Sequence, residues 1–156
     1  MLKGLITALI LVSLCTVIHS SGLVMIAGWL IQHPLKLAPQ FSIRRYTQLL
    51  TIVFAIITLL HLAETAIWAA FYLWWGLFSD FETSWYFSLG SYTTIGYGDV
   101  VLPAKWRLLG GIEGINGVLL CGLSAAFLFL IVNHMFQIRI QHEAARSGSD
   151  VKNDAR

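Results

Sequence analysis

Residues 93–99 read Thr93-Thr94-Ile95-Gly96-Tyr97-Gly98-Asp99 and lie between two long apolar stretches. The two glycines, Gly96 and Gly98, are separated by a single residue, and glycine adopts positive φ angles that residues with side chains resist. A backbone that alternates between left- and right-handed conformations can point successive carbonyls to one side. We therefore predict an extended segment that presents a row of oxygens, from Thr94, Ile95, Gly96 and Tyr97.

The composition around this segment is that of a membrane protein. The chain has 156 residues, of which 57% are hydrophobic and 12% are charged, whereas about a quarter of an average soluble domain is charged. A chain of this length cannot enclose so much apolar surface in a soluble core. The formal net charge of +2 is too small to indicate nucleic-acid binding.

Three apolar stretches are long enough to cross a bilayer, because a spanning helix needs about 20 residues. They run approximately over Gly4–Ile31, Tyr46–Phe78 and Trp106–Ile138. The first is longer than the apolar part of a signal peptide, which favours a retained membrane helix. The chain is therefore predicted to be an all-α membrane protein with three transmembrane helices.

A short helix is predicted before the heptad, over residues 83–93. Ser79 and Glu82 have the spacing of a capping box that starts such a helix. Eleven residues extend about 16 Å, which is half a membrane, so this helix is expected to enter the bilayer and turn back. Extended backbone at that depth is tolerated only where it is buried in protein or lines a watery cavity.

Four such segments around one axis would form cages of eight oxygens, which suit a dehydrated monovalent cation. One chain carries one segment. The chain is therefore expected to form a homotetramer in a lipid bilayer.

The heptad resembles the selectivity signature of the potassium channel pore-loop family at all seven positions. The resemblance implies a K⁺-binding selectivity filter formed by Thr94, Ile95, Gly96, Tyr97 and Gly98. It also implies supporting roles for Thr93, Asp99 and Tyr86, with Tyr86 donating a hydrogen bond to Asp99. Two departures from the family pattern are Phe87, which cannot donate to Tyr97, and Gly90, which lacks a carboxyl group. They favour altered inactivation and leave weak selectivity for K⁺ open as an alternative.

The third span is similar to the inner helix of simple bacterial channels of this family, in which a glycine acts as a hinge. Gly117 and Gly122 are the hinge candidates, although both could instead allow close helix packing. The same alignment implies pore-lining positions on one helical stripe. They are Val118, Cys121, Ala125 and Phe129, and this stripe could equally face lipid.

The resemblance divides the chain into a peripheral N-terminal helix (1–31), a basic loop (32–45), a pore domain (46–138) and a short frayed tail (139–156). Within the pore domain it implies an outer helix over 46–78, a re-entrant pore helix over 83–93, a filter over 94–98 and an inner helix over 106–138. Positive charge in short loops marks the cytoplasmic side. Lys36, Arg44 and Arg45 in the first loop outnumber Lys3, which predicts an external N-terminus and a cytoplasmic C-terminus in the cell membrane.

Ionisable residues inside the spans form a second candidate site. His61 and Glu64 are three residues apart and share a helical face, and His19 lies in the first span. Glu64 is expected to pair with His61, with His19, or with hydroxyls of the short helix such as Ser88 and Ser91. Structural hydrogen bonding, pH-linked gating and an ion pathway are the open interpretations.

The resulting hypothesis is a potassium-selective channel that is not an enzyme, with K⁺ as the permeant ion and no organic cofactor. The interiors of the first two spans contain no arginine, so no intrinsic voltage sensor of the arginine-rich type is expected. The alternatives are a non-conducting partner subunit and, more distantly, a membrane metal-binding enzyme built on His19, His61, Glu64 and His134.

Overall fold

The computed structural model describes residues 2–32 and 43–154, and these residues form helices and no β-strand. The four α-helices are α1 (Leu2–Gln32), α2 (Ile43–Trp74), α3 (Phe81–Tyr92) and α4 (Arg107–Asp154), and a 3₁₀ turn at Ala104–Trp106 leads into α4. The three predicted spans correspond to three helices, since α1, α2 and the first part of α4 are each long and apolar enough to cross a bilayer. Most of the predicted basic loop, including Lys36, lies outside the described residues.

The long helices pack so that neighbours in sequence run in opposite directions. In one core cluster, Cys15 of α1 meets Trp68 of α2 and Leu109 of α4. In the other, Leu30 of α1 meets Leu49 of α2. The start of α1 therefore lies at the same end of the molecule as the end of α2 and the start of α4. This end also carries residues 79–103.

The second helix ends four residues before the predicted boundary at Phe78. Gly76 has a φ of +66°, and its N–H donates to the carbonyl of Leu73, while the N–H of Leu77 donates to the carbonyl of Tyr72. This pair of bonds is the Schellman motif, in which a glycine in the left-handed conformation terminates a helix. The aromatic run continues past the turn, so hydropathy alone placed the boundary too late.

The predicted capping box names the wrong N-cap residue. Asp80, not Ser79, is the N-cap of α3, and its Oδ1 accepts a hydrogen bond from the backbone N–H of Thr83 at 2.7 Å. Ser79 instead donates to the Asp80 carboxylate. The helix therefore begins at Phe81, two residues earlier than predicted, and ends at Tyr92, one residue earlier than predicted.

The predicted frayed tail is also wrong, because α4 continues to Asp154 and has 48 residues. At 1.5 Å per residue the helix is about 70 Å long, more than twice the thickness of the hydrocarbon core. Charged residues end the apolar span near Gln141 but do not by themselves end a helix, since lysine, arginine and glutamate are good helix formers.

Candidate functional site

The heptad begins where α3 ends and has an alternating backbone. Positive φ angles occur at Thr94 (60°), Gly96 (52°) and Gly98 (81°), and among the described residues Thr94 is the only non-glycine residue with such an angle. The intervening residues, Ile95 and Tyr97, keep negative φ. Positive and negative φ angles thus alternate over residues 94–98.

Backbone and side-chain hydrogen bonds hold the segment against α3. The N–H of Gly96 donates to the carbonyl of Gly90 at 3.0 Å, and the N–H of Thr94 donates to the carbonyl of Ser91 at 3.0 Å. The predicted bond from the Tyr86 hydroxyl to Asp99 is present at 2.7 Å. The Tyr86 ring also stacks on Tyr97, with centroids 6.4 Å apart and an interplanar angle of 12°.

Phe87 faces away from this segment, into the aromatic core. Its ring centroid lies 5.3 Å from that of Tyr72 and 5.2 Å from that of Phe78. Tyr86, which has a hydroxyl, therefore supports the heptad with its side chain, and Phe87, which has none, does not.

The two hinge candidates of α4 differ in their surroundings. A Cβ atom at Gly117 would collide with the backbone carbonyl of Tyr92, whereas a Cβ at Gly122 would meet nothing within 4 Å. The helix continues without interruption through both positions. The geometry favours close packing at Gly117, where α4 touches the last residue of α3.

The proposed pore stripe is exposed in the single chain. Val118, Cys121, Ala125 and Phe129 all lie on the surface that α4 turns away from the other helices. Lipid and a second copy of the chain are both able to cover such a surface, so the two interpretations of the stripe stay open.

His19, His61 and Glu64 do come together, behind the end of α3. Nδ1 of His19 lies 2.8 Å from Oε1 of Glu64, and Nδ1 of His61 lies 3.4 Å from Oε2. The hydroxyl of the short helix that reaches Glu64 belongs to Tyr92, not to Ser88 or Ser91 as expected. Ser124 of α4 completes the group, since both imidazole Nε2 atoms contact its hydroxyl.

Glu113 forms a separate buried hydrogen-bond network, which includes Ser88, one of the side chains that were expected to reach Glu64. Ser88 donates to one carboxylate oxygen of Glu113, and Tyr72 donates to the other at 2.7 Å. Glu113, Asn116 and Ser124 are all buried on one face of α4. Glu113 and Ser124, one from each network, are eleven residues apart, which is about three helical turns, and the sequence interpretation did not use this spacing.

The four-residue metal site of the enzyme alternative is not assembled. Ligand atoms of His19, His61 and Glu64 lie within 4.8 Å of one another. His134 is exposed on α4 beside a groove that also contains Ala27 and Leu49. It lies ten residues beyond Ser124, which is about 15 Å along the helix.

A comparison with protein families places these elements in context. Residues 56–133 match a family model described as ion channel. The chain belongs to this ion channel family. No curated protein and no solved structure matches the chain significantly. The matched part of the ion channel includes most of α2, all of α3, the heptad and the first half of α4, and it leaves α1 outside.

Family membership and the three apolar helices identify the chain as a multi-pass membrane protein. An ion channel family is a family of transport proteins, which indicates a role other than catalysis. Both buried networks and the heptad lie largely within the matched residues; His19 is the exception, since α1 lies outside the match.

The Tyr86–Asp99 bond gives the first testable prediction for this ion channel. The hydroxyl of Tyr86 holds the pKa of Asp99 below its ordinary value, because it donates to the ionised carboxylate. In Tyr86→Phe the pKa of Asp99 is expected to rise toward its ordinary value. When the pH is lowered, Asp99 of the variant therefore becomes protonated at a higher pH than Asp99 of the wild type. The stabilisation that ionised Asp99 provides is lost at that higher pH. Carbon-detected NMR titration of aspartate carboxyls measures this shift.

Asp80 is the internal control in the same spectrum. Its pKa is also lowered, but by the backbone N–H of Thr83 and the hydroxyls of Ser79 and Thr83. These donors do not involve Tyr86, so the Asp80 titration should be unchanged in Tyr86→Phe. An unchanged Asp99 titration would contradict the assigned cause.

Proposed function

We propose that the chain is the subunit of a homotetrameric, potassium-selective channel. The alternating backbone at Thr94, Gly96 and Gly98 carries the proposal, because alternation allows the carbonyls of residues 94–97 to point to one side. Four such rows around an axis replace the hydration shell of K⁺ with oxygens. Thr93 and Asp99, at the two ends of the segment, serve as its supports.

The exposure of the heptad supports assembly around an axis. Ile95 is 57% exposed and Tyr97 is 72% exposed in the single chain, although backbone of this kind is tolerated in a bilayer only against protein or a watery cavity. Neighbouring copies would cover the side chains and leave the carbonyls facing the axis.

The electrostatics of the segment favour a cation. The carboxyl end of α3 carries about half a negative charge, and it ends directly before the heptad. At the other end of the heptad, Asp99 is exposed and ionised. We further propose that the end of the molecule with residues 79–103 is external, because Arg44 and Arg45 in the first turn of α2 mark the opposite end as cytoplasmic.

Reconstitution of the purified chain in lipid bilayers tests the proposed function. With K⁺ on one side and Na⁺ on the other, the reversal potential is expected to follow the K⁺ gradient. A reversal potential near zero would favour the weakly selective cation channel. A correctly assembled but silent protein would favour the non-conducting partner subunit.

A further inference from the structure

Two histidines and a glutamate from the first two helices bring their possible metal-ligand atoms together inside the helix bundle. One ring nitrogen of His19, one ring nitrogen of His61 and one carboxylate oxygen of Glu64 lie within 4.8 Å of one another. His19 and Glu64 are fully buried, whereas 19% of the His61 side chain is exposed in the single chain. The group, which we call the His–His–Glu cluster, is therefore enclosed but can be reached from the His61 side.

Both imidazoles of the His–His–Glu cluster turn the same nitrogen toward the carboxylate. Nδ1 of His19 lies 2.8 Å from Oε1 of Glu64, and Nδ1 of His61 lies 3.4 Å from Oε2. In a tetrahedral zinc site with bonds of about 2.0–2.1 Å, neighbouring ligand atoms are about 3.3–3.4 Å apart. The two observed separations are close to this spacing, so small side-chain movements are sufficient to place all three ligands around one ion.

The nitrogens on the other side of the two imidazoles share one partner. Nε2 of His19 lies 2.9 Å from Oγ of Ser124, and Nε2 of His61 lies 3.1 Å from the same oxygen. A histidine that binds a metal through one nitrogen usually donates the N–H of its other nitrogen to a polar group, which fixes the ring. Because a hydroxyl oxygen accepts two hydrogens, Ser124 can orient both rings and leave both Nδ1 atoms available to a metal.

Tyr92 orients the third ligand. Its hydroxyl donates to Oε2 of Glu64 at 2.5 Å, and carboxylates that bind metals are commonly held by hydrogen bonds of this kind. Both Tyr92 and Ser124 are buried. Each of the three candidate ligands therefore has a buried partner outside the His–His–Glu cluster that fixes its orientation.

Hydrogen bonds alone do not satisfy this group of five side chains. His19, His61, Glu64, Tyr92 and Ser124 make five contacts in a ring. An ionised carboxylate supplies no hydrogen, so two neutral imidazoles and two hydroxyls supply four hydrogens for five contacts. One contact then joins two acceptors beside a buried negative charge, which is unfavourable. Within the described part of the chain, the ion-pair contacts of Glu64 are those to the two histidines.

A metal ion bound to both Nδ1 atoms and to Glu64 removes this deficit. It takes the place of the contact between His19 and Glu64 and of the contact between His61 and Tyr92. Three contacts remain, and three hydrogens serve them: the Nε2–H of each histidine donates to Ser124, and the hydroxyl of Tyr92 donates to Glu64. The ion also supplies the positive charge that the buried carboxylate lacks.

We propose that the His–His–Glu cluster is a binding site for one divalent transition-metal ion of the zinc class, held by Nδ1 of His19, Nδ1 of His61 and a carboxylate oxygen of Glu64. Zinc accepts two imidazoles and a carboxylate, with water as the fourth ligand. Ca²⁺ and Mg²⁺ prefer oxygen ligands throughout. No residue of the heptad supplies a ligand, so the metal site does not depend on the proposed function.

The ion connects the first helix to the part of the chain that matches the ion channel family. His19 belongs to α1, which lies outside the match, whereas the other two ligands belong to α2. An ion that binds the folded protein in preference to the unfolded chain stabilises the fold by mass action. We therefore expect the full-length protein to melt at a higher temperature with Zn²⁺ than after treatment with a chelator.

Metal analysis and X-ray absorption spectroscopy of the full-length protein in detergent test the site directly. After treatment with a chelator and addition of Zn²⁺, we expect one bound Zn²⁺ per chain. The spectrum should show nitrogen or oxygen neighbours at about 2.0–2.1 Å and no sulfur neighbour at about 2.3 Å, because neither Cys15 nor Cys121 belongs to the cluster.

Three variants separate the ligands from their surroundings. Ser124→Ala keeps all three ligands and removes the shared partner of the imidazoles, so the affinity for Zn²⁺ is expected to fall about 10–100-fold. Glu64→Gln removes the charged ligand and is expected to abolish stoichiometric binding. His134→Gln removes an exposed histidine outside the cluster; it is the matched control and should bind Zn²⁺ like the wild type.

Several results would overturn the metal site. A wild-type protein that takes up no Zn²⁺ would show that hydrogen bonds alone hold the cluster, and a sulfur neighbour in the spectrum would place the metal at a cysteine instead. Unchanged affinity in Ser124→Ala would contradict the orienting role of the hydroxyl. If Glu64→Gln does not fold, the wild type and Ser124→Ala still decide the question. A protein that binds Zn²⁺ but carries no current would fail the proposed function and leave the metal site standing.

Discussion

Replacing Gly96 with alanine is expected to abolish the selective K⁺ current. Gly96 has a φ of +52°, and a residue with a Cβ pays about 1–2 kcal/mol to remain in the left-handed region. Four copies must hold this conformation at once around the proposed axis, so the penalty on the conducting state is about 4–8 kcal/mol. Bilayer currents in K⁺ and Na⁺ gradients measure the loss.

Gly76→Ala is the matched control for this substitution. Gly76 has a φ of +66°, and an added Cβ meets nothing within 4 Å at either position. Both variants therefore carry a similar local strain, but Gly76 lies in the turn after α2 and supplies no carbonyl to the filter. Gly76→Ala should keep its selectivity, and wild-type selectivity in Gly96→Ala would contradict the assignment of the filter.

The second large effect is expected for Gly117→Ala. The added Cβ would overlap the carbonyl of Tyr92, and a backbone atom at the end of a helix cannot move aside as a flexible side chain can. Overpacking of this kind costs about 1–3 kcal/mol, which corresponds to a lower melting temperature by roughly 2–12 °C in a chain of this size. Thermal unfolding in detergent measures the stability, and the current should fall with it because the junction with α3 shifts.

Gly122→Ala separates packing from hinge motion on the same helix. This position has open space around it, so the alanine is expected to leave the stability unchanged or raise it by up to about 1 kcal/mol through its higher helix propensity. A hinge at Gly122 would instead show as a reduced current at unchanged stability. Equal stability of the wild type and Gly117→Ala would refute the packing role of Gly117.

The sequence was informative where structure depends on neighbouring residues. Continuous apolar stretches predicted the three spans, because a bilayer imposes a minimum length on any helix that crosses it. The spacing of Gly96 and Gly98 predicted an alternating backbone, and the observed φ angles alternate. The bond from Tyr86 to Asp99 was also predicted, through the resemblance of the heptad to a known signature.

Helix ends were predicted less well, because competing local signals were present. Asp80 and Ser79 are both good N-cap residues, and only the observed dihedral angles show that Asp80 holds the position. At the other boundary, Gly76 ends α2 although the apolar run continues to Phe78. Beyond Gln141, the residues that end the apolar span are themselves good helix formers, so the change in composition marked the end of the span and not the end of α4.

The sequence by itself determined that this protein has three stretches long and apolar enough to cross a membrane and one glycine-punctuated segment between the last two. Only the tertiary structure decided that Tyr92 and Ser124 form a ring of hydrogen bonds with His19, His61 and Glu64. It also decided that the end of α3 packs against Gly117. Hydropathy and φ preferences act between neighbours in the chain, whereas His19 and Ser124 are 105 residues apart. Their meeting depends on how each helix is rotated about its axis, and that rotation is set by the packing of all four helices together.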